Sequence, residues 1–436
     1  MTIPAEPASG PVVRSRVLAA GPGEGRSNRS GDHGTDRRAR NRSPLPALAL
    51  GAFSIGTDSL IISGLLDRVA ADLDVSPASA GQLISVFALL YAVGAPVLAT
   101  VTSRADRRRL LLVALAILVL SNVLGALAPD YRVLMASRVL AAVGSALYLP
   151  CALAVAVAVA PQHRRGRAIA LVAGGLSAAT ALGVPLGTLV GAVGDWRLTL
   201  ALVAVLAALA AAVLALLMPQ VEAPPVVTVR QRLAAAAHPG VLVALLSYML
   251  VMTGEFTVFV FVAPLASQVT GVGTAGVSVF LLVWGIAAVL GSAVGGRAAD
   301  AVGGTRAYTI LVAVLCAGLC ALALLALVTP ADSRVTVGLF AVVLAVVSVS
   351  AWGVSPAQNH RIASLDLPEP TVAMSLNGSF SYLGLSLGGV AGGLAMEHGS
   401  VVALAVTGVG AEVLALVLLA GSVVLLRRVR PVSGGR

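Results

Sequence analysis

Two carboxylates stand in apolar surroundings where a carboxylate is costly. Asp58, in GAFSIGTDSLII, and Glu255, in VMTGEFTVF, each fall near the middle of a long apolar run. In hydrocarbon such a group must face water, a partner or a proton. Withdrawal from water favours the uncharged form of any carboxyl, which suits it to taking up and releasing protons near neutral pH. Both are therefore candidate sites for a proton or for the positive charge of a substrate. The plainer alternative is a carboxyl hydrogen-bonded to nearby Thr or Ser and serving only to pack. Glu412 is a third acid in mid-run, in the last apolar stretch. The sixth helix of a duplicated half is expected at the periphery, so Glu412 ranks below the other two. Arg138, in LMASRVLAAVG, enters the fourth run and either snorkels to the interface or pairs with a buried carboxylate.

These residues need helices to hold them. From Leu45 the chain is a series of apolar runs near 45–66, 80–101, 110–128, 133–158, 167–192, 197–218, 240–266, 273–295, 306–329, 335–357, 371–395 and 400–426. Each is long enough to cross about 30 Å of hydrocarbon as a helix. Strand-like alternation is missing, and helices satisfy their own backbone groups in lipid. In the fifth run, Gly175, Ala179, Gly183, Gly187 and Gly191 recur every fourth residue and form one smooth ridge. Such a ridge lets a neighbouring backbone approach closely. It is expected near the interface between the two halves of the molecule, with Pro185 bending the helix. Gly384, Gly388 and Gly392 repeat the ridge in the eleventh run.

The halves echo one another elsewhere too. Asp58 and Glu255 lie in the first run of each half. Asp106, followed by Arg107, Arg108 and Arg109, and Asp300, in Gly296-Arg297-Ala298-Ala299-Asp300, each follow the second. An Asp at a helix end beside Arg can latch one face of the molecule by a charge-assisted bond; the alternative is a solvated cluster that only sets topology. His163 and His360 sit near the ends of runs and read as solvated.

Composition narrows the function. Apolar residues make up 58% of the 436 positions and charged ones 11%, so most of the chain belongs in a bilayer. All 29 basic residues are Arg, which excludes a Walker A phosphate loop and a Schiff-base lysine. A pump built from this chain would draw on a gradient. The basic balance reads as Arg at the membrane surface; no aromatic-rich basic domain suggests nucleic acid. Cys151, Cys316 and Cys320 read as small core residues, and no metal or cofactor is expected. Segments expected on one side, with both termini, hold most of the Arg, which places the termini in the cytoplasm.

Together these residues resemble the major facilitator superfamily, and within it the twelve-span drug:proton antiporters. Gly183-Val184-Pro185-Leu186-Gly187 is similar to the antiporter motif of helix five. The Asp106 loop resembles the family's helix 2–3 signature, departing from it at Thr102, where a glycine is expected. Arg138 fits the helix-four Arg, without the Gln-Gly that often follows. GTDSLIISGLL, AGQLISVFALLYAVGAP, GVPLGTLVG with DWR, and SLNGSFSYLGLSLGG resemble chloramphenicol exporters and arabinose-efflux-type permeases.

The expected fold is accordingly an all-α integral membrane protein, with twelve transmembrane helices in two pseudo-symmetric six-helix bundles. Residues 1–44 form a disordered Arg-rich tail, 45–218 the first bundle, 219–239 a linker, 240–426 the second bundle and 427–436 a short tail. The resemblance implies a monomeric efflux permease in the cell membrane, exchanging a small amphiphilic molecule (a drug, an antibiotic such as a phenicol, or a natural product) for protons. An uptake permease for a sugar or other metabolite and a transporter-fold sensor are the alternatives. No intramembrane protease motif is present, so an enzyme is not expected.

Overall fold

The computed structural model describes residues 43–218, 229–328, 333–365, 367 and 370–429. The N-terminal tail before Ser43, the linker over 219–228 and the C-terminal residues from 430 lie outside the described residues. Twelve helices are long and apolar enough to cross a membrane. The spans of the first half are Leu45–Asp72, Pro77–Val101, Arg107–Ala126, Tyr131–Val159, Gln162–Val193 and Trp196–Leu217. Those of the second begin with Pro239–Phe259, continued by Val262–Thr270, followed by Thr274–Val302, Gly304–Val328, Arg334–Ala363, Pro370–His398 and Val401–Val429.

Short polar turns start several spans. Ser76, Asp106, Asp130 and Asp195 cap the second, third, fourth and sixth, each side chain accepting a backbone N–H of its own first turn. Part of the expected linker is itself helical: Val229–Ala236 packs against the eleventh span.

The first and seventh spans are the most enclosed, with 72% and 67% of their most apolar stretch buried, and so form the inner helix of each half. Glycine spacing explains their close partners. An added Cβ on Gly175 would strike the Ala49 carbonyl, on Gly183 the Thr57 hydroxyl, on Gly187 Ile61 and on Gly191 Leu65. The ridge therefore faces the first span, inside its own half, and not the interface between halves as the sequence led us to expect. The repeat behaves alike: Gly384, Gly388 and Gly392 face Met252, Thr253 and Phe261 of the seventh span. Packing inside each half governs the ridge because lipid supplies no other drive for helices to associate.

Pro185 disturbs the helix just before it. Ala179–Gly183 forms a π-turn, with the Val184 N–H reaching back to the Ala179 carbonyl. This wide turn turns the Thr180 carbonyl and Ala181 toward Gly285 of the eighth span, so close that a Cβ there would meet backbone. Pro264 has a comparable effect on the seventh span, which breaks at Val260 and Phe261.

The halves meet at Gly64 against Leu281, Gly81 against Phe261, Gly285 against Ala181, and Gly389 and Gly393 against Ser85 and Gln82. Every one of these contacts lies between mid-span and the end remote from the chain termini. Gly174, Gly296 and Gly378, nearer the termini, have no atom within contact range of an added Cβ. The molecule is thus closed at its remote end.

Gly175→Ala is expected to destabilise the protein by about 1–3 kcal/mol through overpacking, while Gly174→Ala leaves the melting temperature in detergent unchanged or higher. Equal melting of the two variants would refute the ridge packing.

Candidate functional site

The first span carries Ser54, Thr57, Asp58, Ser59 and Ser63, all buried. The Ser54, Thr57, Ser59 and Ser63 hydroxyls each donate to a carbonyl one turn back in the same helix, at 2.6–3.0 Å. Their protons are committed to the backbone, so Asp58 looks elsewhere. Arg138, in the fourth span, reaches across to it. Its Nη2 donates to Asp58 Oδ1 at 3.1 Å and its Nη1 to the Asp58 carbonyl at 3.2 Å. Both side chains are essentially without solvent contact, at 0% and 2%. Arg138 does not snorkel. Asp58 Oδ2 and Arg138 Nε keep no hydrogen-bond partner, so the pair is held by one side of each fork. Such a pair is sensitive to loss of charge on either member, because the remaining ion would be left buried alone.

Next to this pair lies an aromatic junction that the sequence reading did not single out. Tyr91 of the second span meets Tyr382 of the eleventh, their ring centroids 4.0 Å apart, and Phe87 lies 6.5 Å from each. Tyr382 lies beside Ser59, within electrostatic reach of Asp58. Two of the chain's six Tyr thus join the halves at mid-span next to the ion pair. The signal that could have found them is that Phe87 and Tyr91 fall in AGQLISVFALLYAVGAP and Tyr382 in SLNGSFSYLGLSLGG, two of the stretches that carry the family resemblance. A second aromatic set surrounds the break of the seventh span: Phe259 lies 4.9 Å from Trp284, and Phe256 packs edge-on to Phe259.

Glu255, four residues before that break, is 2% exposed and forms no ion pair or hydrogen bond with the described residues. The structure keeps it in the second half, away from Arg138. Glu412 is also fully buried, against Gly254, and is not at the periphery as expected.

The remaining candidates are less central. Asp106 is exposed and accepts the Arg109 N–H at 2.8 Å, capping its own helix; it makes no latch. Arg107 turns inward and donates to the Ser103 carbonyl at 3.0 Å. Gly296 is half-buried and Asp300 exposed, near the end of the eighth span. His163 and His360 are exposed. Cys151 is buried, but Cys316 is half-buried and Cys320 exposed, so not all three are core residues. Both lie on a face of the ninth span that the rest of the bundle leaves partly uncovered.

Arg68 counted in the sequence only as one of the few Arg on the side opposite the termini, with no site role. Its guanidinium caps the last carbonyls of the fifth span, donating to Gly191 and, at 2.8 Å, to Ala192, and its Nε reaches Thr274 Oγ1 of the eighth span at 3.3 Å. A cation suits the negative end of a helix. Here it also ties the two halves at the closed end, beside a cavity of about 130 Å³ lined by Gly64, Asp67, Ser267 and Val277. Nearby, Arg197 binds Asp72 at 2.7 Å and stacks on Trp196, which accounts for the Asp-Trp-Arg sequence.

The profile described as Major Facilitator Superfamily matches residues 48–389. The MFS-type transporter YbcL of Bacillus subtilis is 32% identical over 84% of this chain and 91% of its own length. The inner membrane transport protein YdhP of Escherichia coli K12 is 34% identical over 82% of this chain and 89% of its own. A chloramphenicol resistance protein of Streptomyces lividans is 36% identical over 59% of this chain and 67% of its own. Among solved structures, a bacterial homologue of the human lysosomal transporter Spinster, in an inward-facing and occupied conformation, shares the fold. Its TM-score is 0.67 at 19% identity, over 88% of this chain and 96% of its own.

Two outcomes check this geometry. Arg138→Met is expected to cost about 3–5 kcal/mol, since it strands a buried carboxylate, and adding Asp58→Asn recovers part of that loss. Fully additive losses in detergent melts would show that the two side chains do not interact. Arg68→Ala is expected to loosen the closed end. Labelling of a Ser278→Cys probe by a water-soluble maleimide should then accelerate, in a background with Cys151, Cys316 and Cys320 replaced by Ala. An unchanged rate would mean the bridge does not hold that end shut.

Proposed function

Because the chain belongs to the major facilitator superfamily, and so is a multi-pass membrane transporter, we propose that it exports a small amphiphilic molecule in exchange for protons. The observation that carries this reading is the buried Asp58–Arg138 pair. Protonation of Asp58 removes the charge that holds Arg138 and leaves a buried cation without its partner, a state that favours rearrangement of the first and fourth spans. Loss of the proton restores the pair. A proton thereby acquires a differential affinity for two conformations, which is what coupling requires.

The glycine contacts give the motion a fulcrum. The halves touch from the π-turn to the remote end, so rocking about Gly285 and the Tyr91–Tyr382 contact would open one end as it closes the other. With both termini in the cytoplasm, as the Arg distribution argues, the described conformation opens inward. Substrate would enter from the cytoplasmic side toward Tyr382, which is half-buried and lies against the buried Tyr91, an aromatic edge suited to a flat or partly apolar molecule. Similarity to a chloramphenicol resistance protein supports the same class of cargo and makes phenicols the first compounds to try. One chain contains the whole pair and both halves, which supports a monomer as the working unit. Pro185 contributes through the π-turn before it, Gly183 and Gly187 by seating the fifth span on the first, and Glu255 is a second carboxyl for proton or substrate charge.

The test uses inside-out vesicles with an inward proton gradient reported by a quenched dye. Addition of a transported compound should restore fluorescence with the wild type and leave it quenched with Asp58→Asn. Full recovery with Asp58→Asn would remove Asp58 from the coupling path.

A further inference from the structure

We infer that Glu412 is a second proton-binding carboxyl, seated inside the C-terminal half behind Glu255; this rests on the proton-coupled reading above. Glu412 belongs to the twelfth span, has no solvent exposure, and neither of its oxygens has a hydrogen-bond partner. A carboxylate buried in that way is strongly disfavoured, so the group holds a proton in this conformation.

The seat is built for it. An added Cβ on Gly254 would stand 2.5 Å from Glu412 Oε1 and 2.8 Å from the Gly408 carbonyl, and one on Gly408 would stand 2.9 Å from the Gly254 carbonyl. Two facing glycines thus bring the seventh and twelfth spans into backbone contact, one turn before Glu412. They lay its carboxyl on the seventh span at the position preceding Glu255. Each would cost little as Ala on an open helix surface; here a Cβ on Gly254 would displace the acid and one on Gly408 would push the two backbones apart.

The ionisable groups around it come from each neighbouring span. Glu255 and Tyr248 lie on the seventh, and Tyr308 and Cys316 on the ninth. Arg361 of the tenth stacks over Tyr308, 5.4 Å from its ring centre, and Tyr308 hydrogen-bonds Ser247 at 2.9 Å. Neither Glu255 nor Glu412 has an ion-pair partner among the described residues. Two carboxyls this close in a low-dielectric interior do not ionise together, and they titrate as a unit. While one of the two is ionised the other keeps its proton, so the pair carries at most one negative charge. Glu412 has no cation to carry that charge, whereas Asp58 has Arg138.

Infrared spectra of the purified full-length protein test this. In the wild type, the carbonyl stretch of a buried protonated carboxyl should be present at neutral pH and disappear on alkaline titration. It should be absent or reduced in Glu412→Gln. Gly254→Ala, which displaces the acid while leaving it in the chain, should shift the pH at which the band is lost. A band unaltered in Glu412→Gln would overturn the proposal. So would a band that persists over the whole pH range in which the protein stays folded, since that acid would be purely structural. The readout needs no transported compound, so failure to find proton exchange in vesicles would count against the proposed function and leave this result standing or falling by itself.

Discussion

A helix in hydrocarbon has no water to turn to, and the rest of this structure depends on that constraint. Every buried hydroxyl of the first span bonds its own backbone, and the one group that cannot be satisfied so, the Asp58 carboxylate, draws Arg138 across from the fourth span. A soluble protein could leave such a charge to solvent. In a membrane the same charge dictates which helices are neighbours, because an ion without its partner is far costlier than the constraint of holding it. The pair is then a structural tie between the first and fourth spans.

The same absence of water explains the glycines. With no hydrophobic drive between spans, close backbone contact is the main attraction left. The ridges of the fifth and eleventh spans use it to lock onto the first and seventh, giving each half a rigid inner pair. The second and eleventh spans pack closely across the halves, and the glycine contacts between halves lie from mid-span to the remote end. The π-turn before Pro185 connects the two levels: it widens the helix whose glycine side is fixed to the first span and presents its other side to Gly285. Stiff halves joined from mid-span to the remote end meet the mechanical condition for rocking.

Much of this was legible in the sequence. Apolar run length gave the twelve spans, since crossing hydrocarbon fixes helix length, and four-residue glycine spacing marked the two ridges. Asp58, Arg138 and Glu255 stood out because charge in an apolar run is rare. What the sequence hid was direction. A ridge has a face, but nothing in Gly175 to Gly191 says whether the first or the eighth span lies opposite. The Asp106 loop reads as a latch because it holds Asp beside Arg, yet an Asp directly before a helix is also a good cap, and in this conformation Asp106 accepts the nearby backbone N–H. The role of Arg68 was invisible for a related reason: its partners are carbonyls of the fifth span, which carry no sequence signature.

Glu412 shows the deepest limit and the most consequential asymmetry. Duplication suggested two equivalent halves, each with one central acid. The structure instead gives the first half an acid with a cation and the second half two acids with none among the described residues. Pseudo-symmetry of backbone therefore does not extend to charge. A transporter whose halves were electrically equal would have no internal reason to respond to a proton on one side of its cycle and not the other. In this chain a proton on Asp58 and a proton on Glu412 would therefore meet different surroundings, a guanidinium from the same half in the one case and a glycine-lined seat in the other.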